Sequence, residues 1–172
     1  MCGRSGQESK SRRFCRPPGF TLLEVIVLVV VLGIVAAVVV PYMASAGDLE
    51  VISAARLVAT DLQYAQNVAI TTQVPVTVAY NTSGEAYVLS NTSGPLIHPI
   101  TKASHTVDFA SQPGFSRSDI VSANFGGNAA VTFDALGTPD HAGAVTLQAG
   151  PHVYRVEVAG ITGRVTVTSV GP

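Results

Sequence analysis

The chain has 172 residues, enough for one domain. Only 12% of them are charged, the formal net charge is −1 and the mean hydropathy is +0.38, a low charge content for a soluble protein. Both cysteines, Cys2 and Cys15, lie near the start, which excludes disulfides and thiolate zinc sites from the rest of the chain.

The first element is a basic leader, residues 1–19. Arg4, Lys10, Arg12, Arg13 and Arg16 stand there against Glu8 alone, half of the ten Lys and Arg in the chain. Phe20 to Met43 then reads FTLLEVIVLVVVLGIVAAVVVPYM, about 24 residues with one charge, Glu24. A membrane-spanning helix needs roughly 20. The positive-inside rule keeps the leader in the cytoplasm and sends the C-terminal part across in a single pass. The run is too long for the core of an ordinary signal peptide. Ala44-Ser45-Ala46 imitates a signal-peptidase site but leaves Glu24 unexplained, and a carboxylate in hydrocarbon is costly. Residues 20–47 therefore read as an apolar helix that Pro41 kinks or ends.

Gly47 and Asp48 follow, with Asp48 the expected cap of a second segment. That segment, Asp48 to about Thr72, is amphipathic. Val51, Ala55, Val58, Leu62, Ala65 and Ala69 recur at steps of three and four, with Asp61, Gln63, Asn67 and Gln73 on other faces. From Val74 the period becomes two. Val74, Val76, Val78 and Tyr80 alternate with Pro75, Thr77 and Ala79. Asn81 to Gly84 is a turn, residues 86–90 the return strand, and residues 91–104 a loop. Further strands are expected at 106–110, 120–125, 130–134, 144–148, 153–159 and 164–170. The last two flank Gly160-Ile161-Thr162-Gly163, a hairpin loop. One helix followed only by strands predicts an α+β domain over residues 48–172, its spine helix lying on antiparallel sheet.

Gly19-Phe20-Thr21-Leu22-Leu23-Glu24, set between a basic leader and an apolar run, resembles the processing site of type IV prepilins and pseudopilins. The resemblance implies that a prepilin peptidase cuts after Gly19 and methylates the new amino terminus at Phe20. Gly33 and Pro41 fall where that family often carries a glycine and a proline, the expected kink positions. Cleavage would leave an ammonium on Phe20, four residues from the Glu24 carboxylate and so expected on the same helical face. An unpaired charge there is expensive and a paired one much less so. The resemblance implies that Glu24 pairs with the amine of a neighbouring subunit and sets the register of a filament.

Further along, Phe133 to Gly137, Tyr154 to Val158 and Gly163-Arg164-Val165 are similar in order to the GspH/FimT group of minor pilins and pseudopilins. Leu57 to Val78 resembles that group's spine and first strand, although Gln66 stands where the group usually has arginine. The implied fold is pilin-like. The implied role is a minor pseudopilin of type II secretion, near the tip of a short filament. Its partners would be the prepilin peptidase, other pilin or pseudopilin subunits and an inner-membrane assembly platform. The implied location is the bacterial inner membrane, with the C-terminal domain periplasmic, and then the filament. The alternative is a minor type IV pilin that binds DNA for uptake through Arg155 and Arg164.

Nothing in the pattern points to an enzyme. His98, His105, His141 and His152 are scattered, with no metalloprotease, nucleophile-elbow or phosphate-loop motif. Asp134 and Asp140 flank a short loop without the ligand pattern of a calcium hand, so a solvated loop is expected there. No metal or cofactor is expected. Asn81-Thr82-Ser83 and Asn91-Thr92-Ser93 match glycosylation sequons but read more simply as turns. Without the leader the chain keeps five basic and ten acidic side chains, about −5, which argues against binding a polyanion.

Overall fold

The computed structural model describes residues 20–44 and 46–171, without the side chains of residues 39–47. The leader and Gly19 lie outside the described residues. The chain divides after Pro41 into two compact units.

Helix α1 (Leu22–Ala44) begins in the first unit and runs through Gly33 and past Pro41. Pro41 therefore does not end it, one of the two outcomes expected from sequence. Every residue from Phe20 to Val38 is exposed. A helix that is aliphatic all round needs a non-aqueous environment or other helices to cover it. Among the described residues no helix is long and apolar enough to cross a membrane. The part of α1 with described side chains, Leu22–Val38, rises about 26 Å at about 1.5 Å per residue, against roughly 30 Å of hydrocarbon.

The second unit opens with α2 (Ala46–Thr72). Asp48 falls inside its first turn instead of capping it. The Asp48 carboxylate faces sideways and accepts the Tyr154 hydroxyl at 3.2 Å, with His152 Nδ1 at 3.7 Å. At the other end Gln73 adopts a left-handed φ of 56° and turns its amide back to donate to Ile70 O at 2.7 Å. That satisfies one of the carbonyls a helix end leaves unpaired.

Nine strands follow: β1 (Val76–Asn81), β2 (Ala86–Asn91), β3 (Gly94–Pro95), β4 (Thr106–Asp108), β5 (Asp119–Phe125), β6 (Ala130–Phe133), β7 (Gly143–Ala149), β8 (His152–Val158) and β9 (Val165–Ser169). They form two antiparallel sheets. One has the order β3-β2-β1-β6, with β4 also on β2, and the other β5-β7-β8-β9. Each strand expected from the alternation is present within a few residues. The Gly94–Pro95 pairing falls in a stretch read as loop. Both sequon asparagines make turns: Asn81 Oδ1 accepts the N–H of Ser83 and Gly84, and Asn91 Oδ1 that of Ser93.

The expected helical stripe is the core of this unit. Val51, Ala54, Ala55, Val58, Leu62, Ala65 and Ala69 are fully buried. They meet β1 and β6 of one sheet and β7, β8 and β9 of the other. Alanines on the stripe let the backbone come close, while Leu62, Leu89, Phe125, Phe133 and Leu147 supply volume. Each such side chain contributes roughly 1.5–3 kcal/mol by leaving water.

Candidate functional site

The residues singled out near the amino terminus sit on a helix start built by Thr21. Its hydroxyl accepts the Glu24 N–H at 3.2 Å, and its carbonyl accepts the Val25 N–H at 3.2 Å. Thr21-Leu22-Leu23-Glu24 thus has the spacing of a capping box, Thr at the cap and Glu three residues on. This places the carboxylate in the first turn, where the helix dipole favours a negative charge by roughly 0.3–1 kcal/mol. Phe20 precedes the cap and lies outside the helix, so helical periodicity does not place it on the Glu24 face.

A second polar cluster lies within the domain, where sequence reasoning placed none. Asp61, assigned to a polar face of the spine, is only 6% exposed. Its Oδ2 accepts the Tyr87 hydroxyl at 2.6 Å, and its Oδ1 lies 3.2 Å from Nε2 of the buried His105. His98 stands edge-on to His105 with ring centroids 4.7 Å apart, so two of the four histidines do come together. Burial, and then the Asp61 charge, push the Tyr80 and Tyr87 hydroxyls well above the ordinary tyrosine range. A shallow cleft of about 200 Å³ opens over Asp61, His98 and His105. The arrangement resembles the oriented half of a catalytic triad. Yet His105 Nδ1, where a nucleophile would bind, has no hydrogen-bond partner. The cluster ties α2, β2 and the segment before β4 together.

A third junction involves Gln66. Its amide nitrogen donates to Gly137 O at 2.8 Å and to Thr162 O at 3.0 Å, clasping two loops to the spine. Gly137 and Gly163 both have positive φ, and a Cβ on Gly163 would overlap the Gln66 amide. Gly163→Val is therefore expected to destabilise the fold by roughly 1–3 kcal/mol, the cost of holding a branched residue in left-handed backbone. A lowered urea midpoint of the full chain in detergent checks this, and an unchanged midpoint refutes it.

The remaining candidates are separate from these clusters. Arg155 is half exposed and paired with Glu157 at 2.9 Å. Arg164 is exposed on the loop side of β9. Asp134 accepts the N–H of Leu136 and Thr138, and Asp140 that of Thr132 and His141. These carboxylates hold their own loop. Among the described residues no group of three or more His, Cys, Asp or Glu is placed to hold a metal.

A family model described as Type II transport protein GspH matches residues 54–163. The structure of the minor pseudopilin EpsH from the type 2 secretion system of Vibrio cholerae superposes with a TM-score of 0.55 at 11% identity, covering 72% of this chain and 99% of that one. The type IV minor pilin FimU of Pseudomonas aeruginosa gives a TM-score of 0.47 at 18% identity, over 69% of this chain and 88% of that one. No curated protein sequence matches the chain.

Proposed function

Since the chain belongs to the GspH family of type II transport proteins, we propose that it acts as a minor pseudopilin, a structural subunit of a type II secretion-like filament. A prepilin peptidase removes residues 1–19 and methylates Phe20. The apolar helix, which in sequence continues to Met43, holds the subunit in the inner membrane with its domain on the periplasmic side. An inner-membrane platform then draws it into a filament of other pilin-like subunits, near the tip. The observation that carries this reading is α1 itself. It is an aliphatic helix, exposed at every residue from Leu22 to Val38, with a threonine cap and one carboxylate in its first turn. Lipid covers such a surface before assembly and neighbouring helices after it. The DNA-uptake alternative draws less support, because Arg155 is engaged by Glu157 and the domain is acidic.

Processing is the direct test. Co-expression with an active prepilin peptidase is expected to yield a chain that begins at N-methyl-Phe20. A bulky residue at Gly19, as in Gly19→Trp, is expected to keep the leader in place. Intact mass spectrometry reads both, and a full-length chain beside an active peptidase would refute the assignment.

A further inference from the structure

The outer face of the β5-β7-β8-β9 sheet, turned away from α2, carries a polar trough. Two rows of side chains cross it in register. Ser122, Thr146, Arg155 and Thr168 stand opposite one another, and Asn124, Ala144, Glu157 and Thr166 form the next row. Small side chains at Ala142 and Ala144 leave the floor low. One hollow of about 330 Å³ lies between Asn124 and Arg155, and another of about 420 Å³ between Arg155 and Arg164. Gly143 and Arg155 line both, so the hollows are adjacent.

Charge within the trough is unbalanced in a useful way. From Asp48 onward the chain has nine acidic and five basic side chains, and two of those five, Arg155 and Arg164, line the same hollow. Glu157 neutralises Arg155 at 2.9 Å. Among the described residues Arg164 has no carboxylate within ion-pair distance. One guanidinium therefore faces the trough with its bidentate fork unused, amid hydroxyl and amide groups suited to a peptide backbone.

The geometry points to a docking groove for an extended, carboxylate-bearing peptide segment of a partner protein. The carboxylate takes the fork of Arg164, and the backbone lies across Thr166, Thr146 and Asn124. Four strands span about 14 Å at about 4.8 Å per gap, the length of roughly four extended residues. Nucleic acid fits poorly. A duplex carries one charge per about 1.7 Å, so it would set several phosphates, and Glu157 against them, over a single unpaired cation. The groove is independent of the filament reading, since it concerns the folded domain alone.

The test uses the full chain in detergent micelles and fluorescence anisotropy at about physiological salt. The probes are a labelled octapeptide with an amidated C-terminus and one carboxylate, Gly-Ser-Asn-Glu-Ser-Asn-Gln-Gly, its counterpart with glutamine in place of that glutamate, and a short duplex DNA. The acidic peptide is expected to bind at least tenfold more tightly than its amide counterpart. Arg164→Gln is expected to remove that preference, while Arg56→Gln, an exposed charge on α2, keeps it. Unaltered near-ultraviolet circular dichroism would show that each variant remains folded. The proposal is overturned if neither peptide binds, if both bind equally, if Arg164→Gln binds like the parent, or if the duplex binds most tightly.

Discussion

Glu24→Val is expected to be inserted and cleaved like the parent chain and to be missing from filaments. The substitution makes α1 more apolar, so insertion is favoured. Its cap survives, because the Thr21 hydroxyl bonds the backbone N–H of residue 24 and not its side chain. On the proposed reading, what disappears is the acidic partner for a buried ammonium. Leaving one member of a buried charge pair alone costs roughly 3–5 kcal/mol, which corresponds to more than a hundredfold loss of incorporation. Glu24→Gln separates charge from size and is expected to fail as well. Crosslinking of the variant to other pilin-like subunits in cells measures the effect. Incorporation at the parent level would show the carboxylate to be dispensable.

Asp61→Ala is the second large effect, and it falls on stability. The carboxylate serves Tyr87 and His105 together, and both partners are buried. Removing it strands a hydroxyl and an imidazole N–H without partners, each costing about 1–3 kcal/mol, and leaves a small cavity. A loss of about 3–5 kcal/mol is expected, against a total near 5–15 for a typical domain. Asp61→Asn keeps an acceptor and is expected to lose about half as much. Unfolding is best followed by tyrosine circular dichroism, since the chain has no tryptophan. A variant as stable as the parent would show that water replaces the carboxylate without penalty. The same environment sets an alkaline limit. Tyr80 and Tyr87 are held neutral by burial and by Asp61. Their contribution is complete below the ordinary tyrosine value of 10.0 and declines as pH rises above it towards the higher folded values.

Features encoded by periodicity or by local spacing were legible in the sequence. The stripe from Val51 to Ala69 and the alternation of Val76, Val78 and Tyr80 declare helix and strand because burial repeats with the backbone period. The cap at Thr21 was equally local. The spacing Thr-x-x-Glu announces it. Asp61 also left a trace, three residues after Val58 and four before Ala65, inside the buried stripe. Its partners left none, since Tyr87 is 26 residues away and His105 farther still. The same holds for Gln66, whose two acceptors lie 71 and 96 residues along the chain. The division into two sheets depends on β1 pairing with β6 and not with a later strand, which no local pattern states.

The order in which the buried stripe of α2 acquires its cover bears on how the chain must be made. The spine emerges early, but Val156 and Val158, which help to close over it, come near the end. The Gln66 clasp waits longer still, for Thr162. Loop closure over such separations must precede the contacts that reward it. Until roughly the last tenth of the chain has been delivered, an apolar helix face stays open to solvent and to other chains. Synthesis of this protein therefore places a demand on holding factors that a domain closed by its own neighbours in sequence would not make.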